Sequence, residues 1–305
     1  MNHELKKMRE YKLEEQLPLP INMLVEVTNA CNLSCVFCAH SKMKKNVGMM
    51  DLGLFENIAR QAYGGGTREI GFYLTGEPLI NKRLSEYVQL AKRIGFEYIY
   101  MDTNGVLATL DTMKPVLAAG INSIKFSINA GTKESYKKIH GRDAFDVVIS
   151  NLKDLSAYIK TEKKNVGLFV SFVICKDTQQ EVNQFCDQVK DYVDEINPHL
   201  AFNQGGHMYE MNDGIMVNPG ETLVQAPCKM IFNRLHVTWD GLLTACCADF
   251  DNELVVANLR ETSLQEAWNS EKMIHLRRMH LSKQIPTDVM CYNCIHNENH
   301  PIKPI

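Results

Sequence analysis

Between residues 21 and 203 the chain alternates apolar, β-branched runs with segments of helical period. "NMLVEVT" (22–28), "EIGFYL" (69–74), "YIYMD" (98–102), "SIKFSI" (123–128), "VGLFVSFVI" (166–174) and "HLAFN" (199–203) read as six strands. "LGLFENIARQAY" (52–63) reads as a helix opened by Asp51 as its N-cap. "LSEYVQLAKRIG" and "DTMKPVLAAG" follow the next two strands, the latter closed by Gly120, and further helical stretches lead to residue 162 and through "TQQEVNQFCDQVKDYV". Near-continuous apolar strands joined by helices predict a parallel sheet covered by helices, curled by right-handed crossovers into an open or closed βα barrel. Ligand residues in such folds gather where strands end and loops begin.

The pattern changes after residue 203. "QGGHMYEMNDGIMVNPGETLVQA" (204–226) carries Gly, Asn and Pro with little periodicity and reads as a linker. "LHVTWDGLLTACC" (235–247) alternates in period two around Asp240-Gly241, which predicts a hairpin. "SLQEAWNSEKMIHLRRMH" reads as a helix or helix pair, and "CYNC" closes the unit. The division is an N-terminal arm (1–20), a barrel (21–205), a linker (206–226) and a C-terminal unit (227–305).

Charge and composition narrow the function. A net charge of -3 argues against nucleic acid as partner, and the one basic run, "SKMKKN" (41–46), reads as a solvated loop. No apolar stretch approaches a membrane span, and the charged start lacks the apolar core of a signal peptide, so the expected location is cytoplasmic. Thiols stay reduced there, which turns the ten cysteines from disulfide partners into metal or redox groups. They are unevenly placed: three at 31 to 38, five in the last third, and only Cys175 and Cys186, read as core residues, between.

"TNACNLSCVFCAH" (28–40) follows the first strand directly and sets Cys31, Cys35 and Cys38 on one compact loop. The spacing alone suits zinc, with His40 as a fourth ligand, as well as an iron–sulfur cluster that keeps one iron open. "CNLSCVFC" also resembles the C-x3-C-x2-C signature of radical S-adenosylmethionine (SAM) enzymes, with the aromatic Phe37 before the third cysteine. "LTGEPL" is similar to the family's Gly-Gly-Glu-Pro motif, Thr75 replacing the first Gly, and the resemblance implies that Gly76 and Glu77 meet the amino group of SAM. It further implies SAM contacts from Asn104 in "TNG", from Ser127, and from Arg142, which is displaced from the family's usual arginine position; Asn129 stands where Asp is usual. The implied fold is a partial (β/α)6 TIM-type barrel carrying a [4Fe–4S] cluster on Cys31, Cys35 and Cys38, with SAM on its open iron.

Seventeen residues separate Cys228 from Cys246, forty-four separate Cys246 from Cys291, and two separate Cys291 from Cys294. With "DGLLTACC", "ANLRETSLQEAW" and "CYNC", this resembles the SPASM/twitch extension of the family, in the form seen in aminocyclitol dehydrogenases. The resemblance implies a second, auxiliary [4Fe–4S] cluster on Cys228, Cys246, Cys291 and Cys294. A zinc site using His296 and His300 is the rival reading of "CYNCIHNENH". Cys247 adjoins Cys246, and neighbours on an extended strand face opposite ways, so its thiol is expected either in the core or facing a substrate as a hydrogen-atom donor.

The expected activity is abstraction of hydrogen from a substrate carbon by a 5′-deoxyadenosyl radical, with Cys247 completing an epimerisation of a carbohydrate, aminocyclitol or peptide. Dehydrogenation through the auxiliary cluster and peptide maturation are the alternatives, and a non-catalytic zinc-binding interaction protein is the reading from another class. Expected partners are the substrate and an electron donor such as flavodoxin or ferredoxin.

Overall fold

The computed structural model describes residues 12–218 and 224–305, so the first eleven residues of the arm and 219–223 of the linker lie outside the described residues. The six early strands form as β1 (Asn22–Val25), β2 (Glu69–Phe72), β3 (Tyr98–Thr103), β4 (Ser123–Ser127), β5 (Gly167–Ile174) and β6 (Glu195–Leu200). Each is parallel to the next, and the helices between them are α1 (Leu52–Gly64), α2 (Leu84–Ile94), α3 (Leu110–Ala118), α4 (Lys133–His140), α5 (Phe145–Thr161) and α6 (Val182–Val189). Asp51 caps α1 by accepting from the Leu54 N–H, and Gly120 follows α3 with φ +100°. This is the expected α/β architecture. β6 begins earlier than "HLAFN" because Pro198 is admitted inside it: β6 is an edge strand, where a missing N–H can face open solvent.

Alternate positions separate the two faces of the sheet. Met23, Val25, Ile70, Phe72, Ile99, Met101, Ile124, Phe126, Val170 and Phe172 join the continuous apolar core beneath the helices. The other, inner face is polar. Tyr100 donates to Asn22 Oδ1 (2.9 Å), Asn22 donates to Glu69 (3.1 Å), Lys125 pairs with Asp102 (2.8 Å), and Ser127 meets Ser171 (3.2 Å).

The C-terminal unit extends this sheet. After α7 (Met211–Gly214) and α8 (Met230–Asn233), β7 (Arg234–Val237) pairs parallel to β1, with Asn22 opposite Arg234 and Val25 opposite Val237. The expected hairpin then forms with β8 (Leu242–Thr244), and β9 (Val255–Asn258) adds a third antiparallel strand. The order of the nine-stranded sheet is β6-β5-β4-β3-β2-β1-β7-β8-β9. "SLQEAWNSEKMIHLRRMH" becomes a helix pair, α9 (Leu264–Trp268) and α10 (Glu271–Ser282), and "CYNC" lies on α11 (Met290–His296).

Two segments read as peripheral are built into the molecule. Leu17 and Leu19 are buried, Trp268 donates to Pro18 O (2.9 Å), and Asn269 bonds both the N–H and the carbonyl of Leu17 (3.0 and 2.8 Å). In the linker, a short 3-10 turn (Gln204–Gly206) packs against α11. Gly and Asn there signal close backbone approach rather than a tether.

Candidate active site

The cluster loop leaves β1 and is tied down from several sides. Ser34 and Val36 N–H groups donate to the carbonyls of His140 (3.2 Å) and Ile139 (2.9 Å), and Cys38 N–H donates to Cys35 O (3.0 Å). Glu77 N–H donates to Ala30 O (2.8 Å). Gly76 packs so tightly here that a Cβ would lie 2.4 Å from Thr28 O and 2.7 Å from Ala30 O.

The three thiols lie within electrostatic reach of one another. Burial is the main cause that raises each above the ordinary cysteine range, Cys38 to about 11, and for Cys35 the neighbouring Cys38 and Cys31 add to it. Unaided, such thiols stay protonated at neutral pH; bound iron cations reverse that balance. The donor set therefore fits an iron–sulfur cluster. His140 Nδ1 lies 3.0 Å from Cys35 Sγ, and burial pushes the imidazole down to about 4, so it is neutral. The ring packs on Tyr136 (centroids 4.2 Å apart) and meets Phe37 edge-on at 6.1 Å. Phe37 itself is buried in the core.

Glu77 is the hinge between neighbouring loops. Its carboxylate accepts from Thr103 Oγ1 (2.8 Å), Asn104 N–H (2.7 Å) and Leu79 N–H (3.1 Å). Burial nevertheless pushes it up to about 7. Asn104 Nδ2 donates to Asn32 Oδ1 (2.7 Å) and stands 4.0 Å from Cys31 Sγ. The strand-end residues Gly76, Glu77 and Asn104 thus surround the cysteine loop, and Ser127 sits on the inner face of β4. Arg142 is exposed on the loop after α4, while His140, just before Gly141, is the residue that reaches the thiols.

Period-two reading of the strands signals the inner wall, but not the partners it acquires. Glu26 is fully buried; Thr75 Oγ1 donates to one of its oxygens, and Trp239 N–H reaches the other at 3.2 Å, with Lys45 Nζ 3.8 Å away. "SKMKKN" is therefore not wholly solvated: the Lys45 side chain is 9% exposed because the Glu26 carboxylate draws it inward.

The second set of thiols also comes together. The Cys247 hydrogen bond and burial raise Cys246, with Cys228 and Cys291 adding to it; burial raises Cys291, with Cys228 and Cys294 adding to it; and burial pushes Cys294 up to about 12. These electrostatic effects link Cys228, Cys246, Cys291 and Cys294, four soft donors of the kind that suit iron. His296 is exposed, and His300 pairs with Glu298 (2.5 Å) and meets Tyr292 edge-on, so neither is drawn into the thiol group.

The local backbone at Cys247 differs from the extended strand expected. β8 ends at Thr244 after a register shift, and the two cysteines follow on a turn, so the alternation of an extended strand does not apply. The Cys246 and Cys247 thiols hydrogen-bond each other, and this bond and Arg234 bring Cys247 below the usual thiol range, to about 7. It is half-buried, within the electrostatic reach of Cys228 and Cys294. Cys175 is buried in the core, as expected.

Residues 25–189 match the family model of the radical SAM superfamily, and residues 228–295 match that of an iron–sulfur cluster-binding domain, SPASM. A probable GTP 3′,8-cyclase of Saccharolobus solfataricus is 26% identical over 260 residues, 80% of this chain and 79% of its own. The crystal structure of Streptococcus suis SuiB bound to the precursor peptide SuiA superposes with a TM-score of 0.70 at 13% identity, covering 99% of this chain and 77% of that one. BtrN in complex with AdoMet and 2-DOIA gives a TM-score of 0.57 at 20% identity, covering 91% and 98%. No helix among the described residues is long and apolar enough to cross a membrane. With both thiol sets and both family models in register, the chain belongs to the radical SAM superfamily and carries a SPASM domain, its cofactors being SAM, a [4Fe–4S] cluster and additional iron–sulfur.

Proposed function

We propose that this radical SAM enzyme epimerises a carbon centre of a polar substrate, a carbohydrate, aminocyclitol or peptide, with Cys247 as hydrogen-atom donor. The observation that carries the reading is a fifth thiol beside a four-thiol set. Four ligands suffice for one auxiliary cluster, which leaves Cys247 free for chemistry. In this reading Cys31, Cys35 and Cys38 hold the first cluster, and Cys228, Cys246, Cys291 and Cys294 the second.

When bound, the first cluster and SAM supply the 5′-deoxyadenosyl radical. The chain's own residues orient and enclose. Gly76, Glu77 and Asn104 would hold the methionyl end of SAM at the strand ends and Ser127 would extend that contact, while the Asp102–Lys125 pair lines the inner wall with fixed charge. Arg142, exposed beyond Gly141, would be the remaining SAM contact. After a substrate hydrogen has left with the adenosyl group, Cys247 returns one from the opposite face, breaking its S–H bond and forming the inverted C–H bond. The thiyl sulfur is restored by one proton and one electron, the latter from a donor such as flavodoxin or ferredoxin.

Turnover in D2O is expected to place one deuterium on the inverted carbon, and Cys247→Ser to abolish inversion while 5′-deoxyadenosine still forms. A product two hydrogens lighter, without solvent label, would instead establish dehydrogenation. That second reading is favoured by the same closeness of Cys247 to the auxiliary ligands, which suits electron transfer. SuiB's peptide and BtrN's 2-DOIA define the substrates to screen first.

A further inference from the structure

Residues 203–206 run between the two thiol sets and touch both. Gln204 Nε2 donates to Phe37 O (2.8 Å), and its Oε1 accepts from Ala39 N–H (2.9 Å). One side-chain amide thus clamps the two peptide units that flank Cys38. The next residue, Gly205, donates its N–H to the Cys294 thiol. Asn203 anchors the strap from the other side, donating to Asn293 O and Asn297 Oδ1, each at 2.9 Å.

The backbone is shaped for this approach. Gly205 and Gly206 have φ of +74° and +92°, and a Cβ on them would lie 2.5 Å from Met290 Cε and 2.8 Å from Asn293 Cβ. Gln204 itself has φ +48°, a left-handed conformation that is strained for a residue with a Cβ. A glycine would fit more easily; only the side-chain clamp explains glutamine.

We propose that Gln204 is a positioning residue that couples the two clusters: it fixes the Cys38 segment to the strap whose next peptide grips Cys294, so the state of the auxiliary site is felt at the radical-generating site. The route is short and contiguous, from Cys294 through the Gly205 N–H, one peptide bond and the Gln204 amide to the backbone of Cys38. The inference rests on the two-cluster assignment and not on which reaction is catalysed. Removing an outer partner of a metal ligand commonly weakens metal holding by about 10–100-fold.

The test uses anaerobically reconstituted full-length protein, the rate of iron loss from the first site to a chelator, and the midpoint potential of that cluster read by electron paramagnetic resonance. Gln204→Ala is expected to accelerate loss from the first site about tenfold and to shift its potential, with the apoprotein still folding cooperatively in its thermal melt. The double variant C291A/C294A, which removes the auxiliary cluster, is expected to produce a like shift, and Gln204→Ala to add little in that background. Gln204→Glu keeps the acceptor for Ala39 but loses the donor to Phe37, so an intermediate effect is expected, and it decides the matter if the alanine variant does not fold. Unchanged iron loss and potential in a folded Gln204 variant, or simple additivity with C291A/C294A, would overturn the proposal.

Discussion

A buried thiol with no cation nearby stays neutral, and a buried carboxylate reaches for its proton; both effects are written into the cysteine loop and the Glu77 turn beside it. In the proposed assignment, replacing any one of Cys31, Cys35 or Cys38 by Ala removes a third of the first cluster's protein ligands. Each variant is expected to retain the auxiliary iron, about four per chain, and to form no 5′-deoxyadenosine, as read by iron assay and chromatography. Glu77 yields a pH prediction. Its carboxyl is raised from 4.5 to about 7 in the fold by burial, so the folded apoprotein holds that proton more tightly than the unfolded chain. The resulting stabilisation is complete below pH 4.5 and disappears as pH rises to about 7, worth about 3 kcal/mol. Glu77→Gln is expected to flatten that part of the apoprotein's denaturation-versus-pH profile; the buried Asp249, raised in the same direction, retains the rest.

At the level of loops and strands, legibility follows sequence distance. The thiol triplet and the "TGEP" turn are local, so spacing exposes them, and parity along "SIKFS" marks Lys125 and Ser127 as sharing a face. His140 lies 105 residues from Cys35, Gln204 lies 167 from Phe37, and Trp239 lies 213 from Glu26; no window holds both partners of such contacts. The alternation argument at Cys247 fails for a different reason: β8 ends at Thr244 after a register shift, so the two cysteines are not on an extended strand. Gly76 illustrates what local sequence does secure. Its missing side chain admits the Thr28 and Ala30 carbonyls, and Gly76→Ala must move backbone rather than a flexible side chain. The variant is expected to lose about 2 kcal/mol of stability, measured by urea denaturation, and to bind SAM more weakly by calorimetry.

Across the whole molecule, the barrel and SPASM unit share a sheet and a core. Trp268 is fully buried, with its indole N–H on Pro18 O at 2.9 Å and the Arg277 guanidinium 4.1 Å from its ring. Trp268→Ala is expected to cost about 3–5 kcal/mol and to loosen the segment at 12–20, seen as faster amide exchange there. The division into units with a linker between them describes sequence texture better than mechanics, because β7 is hydrogen-bonded to β1 along its length. Deleting 227–305 opens that edge and is expected to give aggregates on size-exclusion chromatography. A soluble monomer that still assembles the first cluster would refute this.

The position of β7 in the sheet also bears on synthesis. The strand carrying the first cysteine loop has one neighbour, β2, made soon after it, and another, β7, that begins at Arg234, 209 residues beyond Val25. At roughly 5–20 residues per second on the ribosome, that gap lasts about 10–40 s. Throughout it a nascent chain exposes an unpaired strand edge beside the cysteine loop. Iron delivery therefore belongs after translation is complete, and a holding chaperone has a defined edge to cover until then.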